Sequence, residues 1–167
     1  MAGVTQDSIV DGPGIRTTLY VQGCPHHCPG CHNPETWDFE GGTPMEPDQL
    51  LEIVRRNPLC RGVTFSGGEP FAQAGVLLPL AVKLKEAGYE LASYTGYLFE
   101  QLLNGNAAQK ALLEKIDVLI DGPFILAERS LDLNFRGSRN QRVLNVPQSL
   151  AARKAVPETS PRWLGDY

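Results

Sequence analysis

Three of the four cysteines in this sequence lie close together. Cys24, Cys28 and Cys31 have the spacing C-x3-C-x2-C in a stretch rich in proline and glycine, whereas Cys60 stands alone. A small secreted domain spreads its cysteines along the chain, where disulfides can close loops. Three thiols crowded into one turn are better suited to holding a metal, and a reducing compartment keeps them as thiolates. The cysteine pattern therefore predicts a metal site in a cytoplasmic protein.

The cysteines are compatible with two kinds of metal site. Structural zinc sites take four protein ligands, usually in two pairs, and this sequence has no second pair of cysteines. A nearby histidine (His26, His27 or His32) could complete a Cys3His zinc site. Three thiolates can instead hold three irons of a four-iron cluster and leave the fourth iron open to another ligand. An open position is what separates a catalytic metal from a structural one.

Alternating strand and helix patterns must position this cysteine loop. The predicted strands cover residues 16–21, 62–66, 89–94 and 116–120, with 142–146 as a candidate fifth strand. Helical patterns lie between them, which predicts a parallel sheet with right-handed crossovers. In such sheets, ligands bind at the carboxyl ends of the strands. We therefore expect the turn-rich segments 23–31, 67–70, 95–97 and 121–124 to converge on one edge.

Composition limits the class of protein. Hydrophobic residues make up 42% and charged residues 20%, and 15 basic against 19 acidic side chains give a net charge of −4. Mild acidity argues against general nucleic-acid binding, which depends on a basic surface. Neither a signal peptide nor a run of about 20 apolar residues is present. We expect one domain over residues 1–167, with a core at about 9–146 and an irregular tail at 147–167.

The order of several motifs resembles the radical S-adenosylmethionine (radical SAM) superfamily. The cysteine loop follows the first strand, and Gly67-Gly68-Glu69-Pro70 follows the second. The segment DGPGIR at residues 11–16 is similar to the start of enzymes that activate glycyl-radical proteins. Finer motifs resemble the branch that activates anaerobic ribonucleoside-triphosphate reductases: CPGC at 28–31, NPETW at 33–37, YTGY at 94–97, LIDGPF at 119–124 and FRGSRNQ at 135–141. Gly30 stands where many superfamily members have an aromatic residue, which agrees with this branch.

The resemblance implies a cofactor, a reaction and a partner. Cys24, Cys28 and Cys31 would hold a [4Fe-4S] cluster whose open iron chelates SAM. An external one-electron donor would drive cleavage of SAM to methionine and a 5′-deoxyadenosyl radical. That radical would take a hydrogen atom from a C-terminal glycine of the large reductase subunit. Because a complete eight-stranded barrel takes about 250 residues, the 167-residue chain should form only an open, partial (β/α) barrel.

The resemblance also assigns SAM contacts at three strand ends. Two glycines without Cβ atoms would let the ligand approach the backbone, and Glu69 would accept from the ammonium group of SAM. Hydroxyl and carboxylate groups further along the sheet would bind its ribose or carboxylate. The predicted contacts are Gly67, Gly68, Glu69, Pro70, Tyr94, Thr95 and Asp121. The tyrosine also fits plain core packing, and Asp121-Gly122-Pro123 also fits an ordinary turn.

Other functions stay open at this point. The chain could activate a different glycyl-radical enzyme or act on a small molecule by the same chemistry. A non-catalytic zinc or iron–sulfur module is a more distant alternative, because an electron carrier uses four protein ligands. The basic stretch that contains Arg129, Arg136, Arg139 and Arg142 is by default solvated surface, or else a docking surface for the partner.

Overall fold

One mixed sheet forms the frame of the computed structural model, which describes residues 1–165. Its strands are β1 (Gly3–Ser8), β2 (Arg16–Val21), β3 (Gly62–Gly67), β4 (Glu90–Tyr94), β5 (Val118–Asp121) and β6 (Arg142–Asn145). The α-helices are α1 (Pro47–Arg55), α2 (Ala74–Glu86), α3 (Phe99–Leu103), α4 (Ala107–Leu113), α5 (Val146–Ala152) and α6 (Pro161–Leu164). The strands follow one another in chain order across the sheet, and the described residues form no pairing between β1 and β6. The sheet is therefore an open, partial barrel.

The sheet is parallel in its centre and antiparallel at both edges. Neighbouring strands from β2 to β5 are parallel, as predicted. β1 pairs with β2 in the antiparallel direction, and β6 pairs with β5 in the same way. The candidate fifth strand is thus confirmed, although it joins the sheet as an antiparallel edge. No helix within residues 1–165 is long and apolar enough to span a membrane.

The two faces of the sheet have different surroundings. Because successive side chains of a strand point to opposite faces, alternate residues enter the core beneath α1, α2 and α4. The fully buried apolar side chains on that face are Leu19, Val63, Phe65, Leu91 and Leu119. The opposite, concave face carries Thr18, Thr64, Ala92, Val118 and Ile120. Ligand sites combine apolar walls with a few polar groups, so this face can bind a ligand near the carboxyl ends of the strands.

Helix α2 contains a proline, Pro79. A proline inside a helix removes one backbone hydrogen bond and crowds the preceding turn, so Pro79 limits where this helix can begin. The structure begins α2 at Ala74, with Pro79 inside the helix. Three of its buried side chains, Leu77, Leu80 and Leu84, pack into the core. We attribute the tolerance of Pro79 to this packing, since burial of leucines stabilises by more than one lost hydrogen bond.

Within the described residues, the C-terminal segment contains helices α5 and α6, which differs from the irregular tail expected at 147–167. Residues 155–158 run beside β6, where the backbone N–H of Asn145 donates to Val156 and that of Glu158 donates to Val143, both at 2.9 Å. Trp163 of α6 is only 1% exposed and packs with Ala92, Val118 and Ile120 on the concave face. The tail therefore covers the part of the concave face that lies away from the strand ends.

We expect Trp163→Ala to lower the free energy of unfolding by about 3–5 kcal/mol, because it removes a large buried side chain. Urea unfolding followed by circular dichroism measures the effect. Leu164→Ala is the matched control. The side chain of Leu164 is next to Trp163 in the sequence but is 49% exposed, so its replacement should change the free energy of unfolding by less than about 0.5 kcal/mol. Equal stabilities of the two variants would contradict the packing of the tail on the sheet.

Candidate active site

The turns that follow the four parallel strands meet around one cavity of about 380 Å³. Its size falls within the range of about 300–1,000 Å³ that is usual for small-molecule sites. The residues contributed by the four turns include Cys24, His26, Cys28, Cys31, Gly67, Gly68, Glu69, Tyr94, Thr95, Gly96, Gly122 and Phe124. The convergence expected from the parallel order of the strands is therefore present.

Backbone hydrogen bonds hold the cysteine loop at its base. The N–H of Gly23 donates to the carbonyl of Thr36 at 2.7 Å, and the N–H of Cys24 donates to that of Trp37 at 3.1 Å. At the other end, the N–H of Cys31 donates to Cys28 at 3.0 Å. Gly30 has a φ of +74°, and a Cβ at this position would lie 2.8 Å from Leu126. The positive φ of Gly30 disfavours a side chain at this position, and a larger residue would also require the exposed side chain of Leu126 to move.

The three predicted ligands are free, half-buried thiols that line the cavity together. Burial raises the pKa of the Cys24 thiol, and backbone N–H groups of His26 and His27 oppose that effect. Within residues 1–165, no three histidine, cysteine or acidic side chains are grouped closely enough to hold a single metal ion. Thiolates of a four-iron cluster bind different irons, so they must surround the cluster and need not meet at one point. The donor set fits such a cluster.

The two glycines at the end of β3, Gly67 and Gly68, are required by the fold itself. A Cβ on Gly68 would lie 2.2 Å from the carbonyl oxygen of Gly23, and one on Gly67 would lie 2.7 Å from the backbone of Tyr20 and Val21. The N–H of Gly68 donates to Val21 at 2.9 Å, which holds this close approach. The glycines therefore let the turn after β3 pack directly against the start of the cysteine loop.

Glu69 connects three of the four turns. Its side chain is buried, and its Oε1 accepts from the N–H of Phe71 and the hydroxyl of Thr95, both at 2.9 Å. Its Oε2 accepts from the N–H of Gly96 at 2.8 Å and from Nε2 of His26 at 2.7 Å. Both carboxylate oxygens are thus occupied by protein donors, so Glu69 positions the cavity wall in this structure.

His26 is the functional residue that sequence reasoning placed least well, because it appeared there only as an alternative zinc ligand. Its ring packs edge-on against Tyr97 with centroids 4.6 Å apart. A Cβ on Gly96 would lie 2.5 Å from the ring. His26 therefore packs the cysteine loop against the turn after β4. No local spacing indicates this contact, because its carboxylate partner lies 43 residues away.

Tyr94 and Asp121 occupy different positions relative to the cavity. Tyr94 lines it, but its hydroxyl donates to the carbonyl of Phe135 at 2.8 Å, and burial raises its pKa well above the usual range. Asp121 points to the helix-covered side, where it accepts from the N–H of Phe99 at 2.7 Å and from Nε of Arg142 at 2.9 Å. Asp121 therefore accepts from the first N–H of α3 and pairs with Arg142, and this geometry does not support its predicted contact with SAM.

One predicted SAM contact, Pro70, does not line the cavity, whereas Asp11 and Trp37, which were not predicted as contacts, do line it. Pro70 is buried at the start of a short 3-10 turn and does not line the cavity. Asp11 lines the cavity, and its Oδ2 accepts from the hydroxyls of Ser8 and Thr18 at 2.5 and 2.8 Å. Trp37 also lines it and stacks on His27 with ring centroids 4.6 Å apart. Within the described residues its buried Nε1 has no hydrogen-bond partner, so it fits an acceptor on a bound group.

Comparison with known proteins identifies the family. Residues 10–144 match the family model described as a 4Fe-4S single cluster domain, a span that contains all four turns. The anaerobic ribonucleoside-triphosphate reductase-activating protein of Escherichia coli (strain K12) is 38% identical over 141 residues, which cover 80% of this chain and 90% of that protein. The corresponding protein of Pasteurella multocida is 36% identical over 148 residues, or 84% of this chain and 93% of the relative.

Two further similarities are less extensive. The pyruvate formate-lyase-activating enzyme of Clostridium pasteurianum is 43% identical over 95 residues, which are 53% of this chain and 40% of that enzyme. Among solved structures, QueE from Escherichia coli has a TM-score of 0.40 at 25% identity, over 49% of this chain and 43% of that one. The near full-length matches carry the assignment: this chain belongs to the family of anaerobic ribonucleoside-triphosphate reductase-activating proteins.

Proposed function

We propose that this chain is a cytoplasmic radical SAM enzyme that generates a glycyl radical on the large subunit of anaerobic ribonucleoside-triphosphate reductase. Cys24, Cys28 and Cys31 hold a [4Fe-4S] cluster, and SAM occupies the rest of the cavity that these cysteines line. The observation that carries the proposal is the meeting of three free thiols with the turn at residues 67–70 in one cavity. Membership of the activating-protein family supports the identity of the partner.

The bound cofactors supply the radical chemistry. When bound, the cluster and SAM would use one electron from an external donor to supply methionine and a 5′-deoxyadenosyl radical, and that radical would take a hydrogen atom from a glycine Cα to give 5′-deoxyadenosine and a glycyl radical. Such chemistry belongs to the cofactor, while the protein contributes binding and orientation. The chain's own residues therefore have three roles: they hold the cluster, align SAM and shield the radical from water.

Alignment of SAM depends on the turns that Glu69 connects. Since both oxygens of its carboxylate already accept from protein donors, we assign acceptance from the SAM ammonium to backbone carbonyls of the turn at Gly67 and Gly68. Glu69 holds that turn against Thr95 and Gly96. The prediction of direct contact by Glu69 thus becomes a positioning role.

Shielding depends on aromatic side chains around the cavity. Trp37, Tyr94, Phe124 and Phe135 line it, and such walls exclude water from a reactive intermediate. Within residues 1–165 the sheet remains open between β1 and β6, so these residues do not enclose the cavity by themselves. A protein substrate that inserts a glycine-bearing segment would complete the enclosure.

Anaerobic assays test this function directly. We expect brown protein with about four irons and four sulfides per chain, and a doublet glycyl signal in the electron paramagnetic resonance spectrum after mixing with SAM, dithionite and the reductase. Omission of SAM is the control that should remove the doublet. A colourless protein that contains zinc would contradict both the cofactor and the reaction.

A second candidate is the activation of another glycyl-radical enzyme. The partial similarity to a pyruvate formate-lyase-activating enzyme favours it over the small-molecule alternative. The same spectroscopic assay with pyruvate formate-lyase in place of the reductase separates the two candidates. A doublet on the lyase alone would move the assignment to that partner.

A further inference from the structure

Exposed apolar side chains gather on two loops beside the mouth of the active-site cavity. Ile9 and Val10, between β1 and β2, are 70% and 71% exposed. Leu131, in the segment between β5 and β6, is 87% exposed. Contiguous exposed apolar side chains of this kind mark interaction sites, whereas single ones need no explanation. The location of these three beside the cavity therefore suggests a shared role.

The two loops enclose a groove of about 410 Å³ that is lined by Ile9, Val10, Arg129, Leu131 and Leu133. The groove and the active-site cavity share walls, since Val10, His32, Leu133, Phe135, Arg136 and Gly137 line both. A chain segment that lies in the groove can therefore continue directly into the cavity. This continuity distinguishes the groove from apolar surface elsewhere on the molecule.

The segment that carries Leu131 is held in place. Its two ends pair where Arg129 and Ser138 form an antiparallel bridge, and the N–H of Ser130 donates to Gly137 at 3.3 Å. From beneath, the ring of Phe135 packs against Trp163 with centroids 5.4 Å apart. A preformed groove binds an incoming segment with a smaller loss of conformational entropy than a flexible one.

The charge of the groove indicates what it binds. Arg129 and Arg136 line it, and within residues 1–165 neither has a carboxylate at salt-bridge distance, in contrast to Arg142, which pairs with Glu100 and Asp121. These unpaired arginines lie on a chain whose net charge is −4. The groove is therefore a local basic site that complements an anionic ligand.

We propose that this groove docks the residues next to the target glycine of the protein substrate. The inference rests on the proposed function, because a glycine Cα can reach the cavity only if its neighbours in the chain pass through the mouth. An extended segment advances about 3.3 Å per residue, so residues a few positions from the glycine lie in the groove. Their apolar side chains pack on Ile9, Val10 and Leu131, and a carboxylate pairs with Arg129.

The test separates docking from SAM chemistry. Leu131→Asp and Arg129→Glu each change the groove and leave the cysteine loop and the turn at residues 67–70 intact. With the anaerobically reconstituted enzyme, we expect 5′-deoxyadenosine formation without the reductase to equal that of wild type. The reductase concentration that gives half the maximal glycyl signal should rise about tenfold, as for a hot-spot contact. Leu59→Asp is the control, since Leu59 is 61% exposed and precedes β3 at the opposite end of the sheet.

Three results would overturn the proposal. In the first, both groove variants reach half the maximal glycyl signal at the same reductase concentration as wild type. In the second, Leu59→Asp raises that concentration as much as the groove variants do. The third is self-association of the wild type in sedimentation that Leu131→Asp abolishes, because the groove would then bind a second copy. A wild-type enzyme that cleaves SAM but yields no glycyl signal at any reductase concentration refutes the proposed function instead, and the wild-type curve alone reveals it.

Discussion

Cys28→Ser is expected to remove the iron–sulfur cluster and to reduce 5′-deoxyadenosine formation to background. A serine hydroxyl does not ionise readily and is a poor iron ligand, whereas iron–sulfur clusters are held by thiolates. Only three cysteines line the cavity within the described residues, so loss of one leaves two thiolates for the cluster. Iron and sulfide analysis, with product quantified by chromatography, measures both effects.

Cys60→Ser is the matched control for this experiment. Cys60 is buried away from the cavity, where its thiol donates to the carbonyl of Gly62 at 3.3 Å. A serine hydroxyl can make the same hydrogen bond, so the variant should keep about four irons per chain. Full iron content in Cys28→Ser, or its loss in Cys60→Ser, would show that the cluster ligands are assigned wrongly.

Glu69→Ala is expected to lower the rate of SAM cleavage by about 10- to 100-fold. This is the usual range for residues that orient a metal site without binding the metal themselves. The substitution leaves four donors without their acceptor: the N–H groups of Phe71 and Gly96, the hydroxyl of Thr95 and Nε2 of His26. Unsatisfied buried groups cost about 1–3 kcal/mol each, so the contacts that align the three turns should weaken. All three cysteines remain, and we expect iron to bind.

The measurement combines SAM binding, product formation and thermal unfolding of the Glu69 variant. Glu52→Ala is the control, because the Glu52 side chain is exposed and forms only a surface pair with Arg55, which contributes at most about 1 kcal/mol. Wild-type SAM cleavage by Glu69→Ala would mean that the hydrogen bonds of this carboxylate do not position the cavity wall.

The parallel centre of the sheet was predictable because each of its strands has its own local signal. Residues 16–21 are rich in β-branched and aromatic side chains, and 116–120 is an almost wholly apolar run typical of a strand covered on both faces. The edge strand β1 was not predictable in this way. Its sequence GVTQDS is mostly polar and partly exposed, so it lacks the alternation that a half-buried strand shows.

The tail shows how a few long-range contacts can order a segment without local signal. Helix α6 has four residues, which is too short for a helical period to be recognised. Its order depends on Trp163, which packs against residues from β4 and β5. Because those contacts join parts of the chain that are far apart in sequence, no window of the sequence contains them.

The sequence by itself determined where the four parallel strands lie and that the turns after them, with the three clustered cysteines, meet at one edge of the sheet, because this depends on local residue types and on the common direction of parallel strands. Only the tertiary structure decided how the polar residues of those turns are used. Asp121 lies two residues after Leu119 and so points to the same helix-covered face. Glu69 meets His26 across 43 residues, and such a contact exists only once β2, β3 and β4 lie side by side.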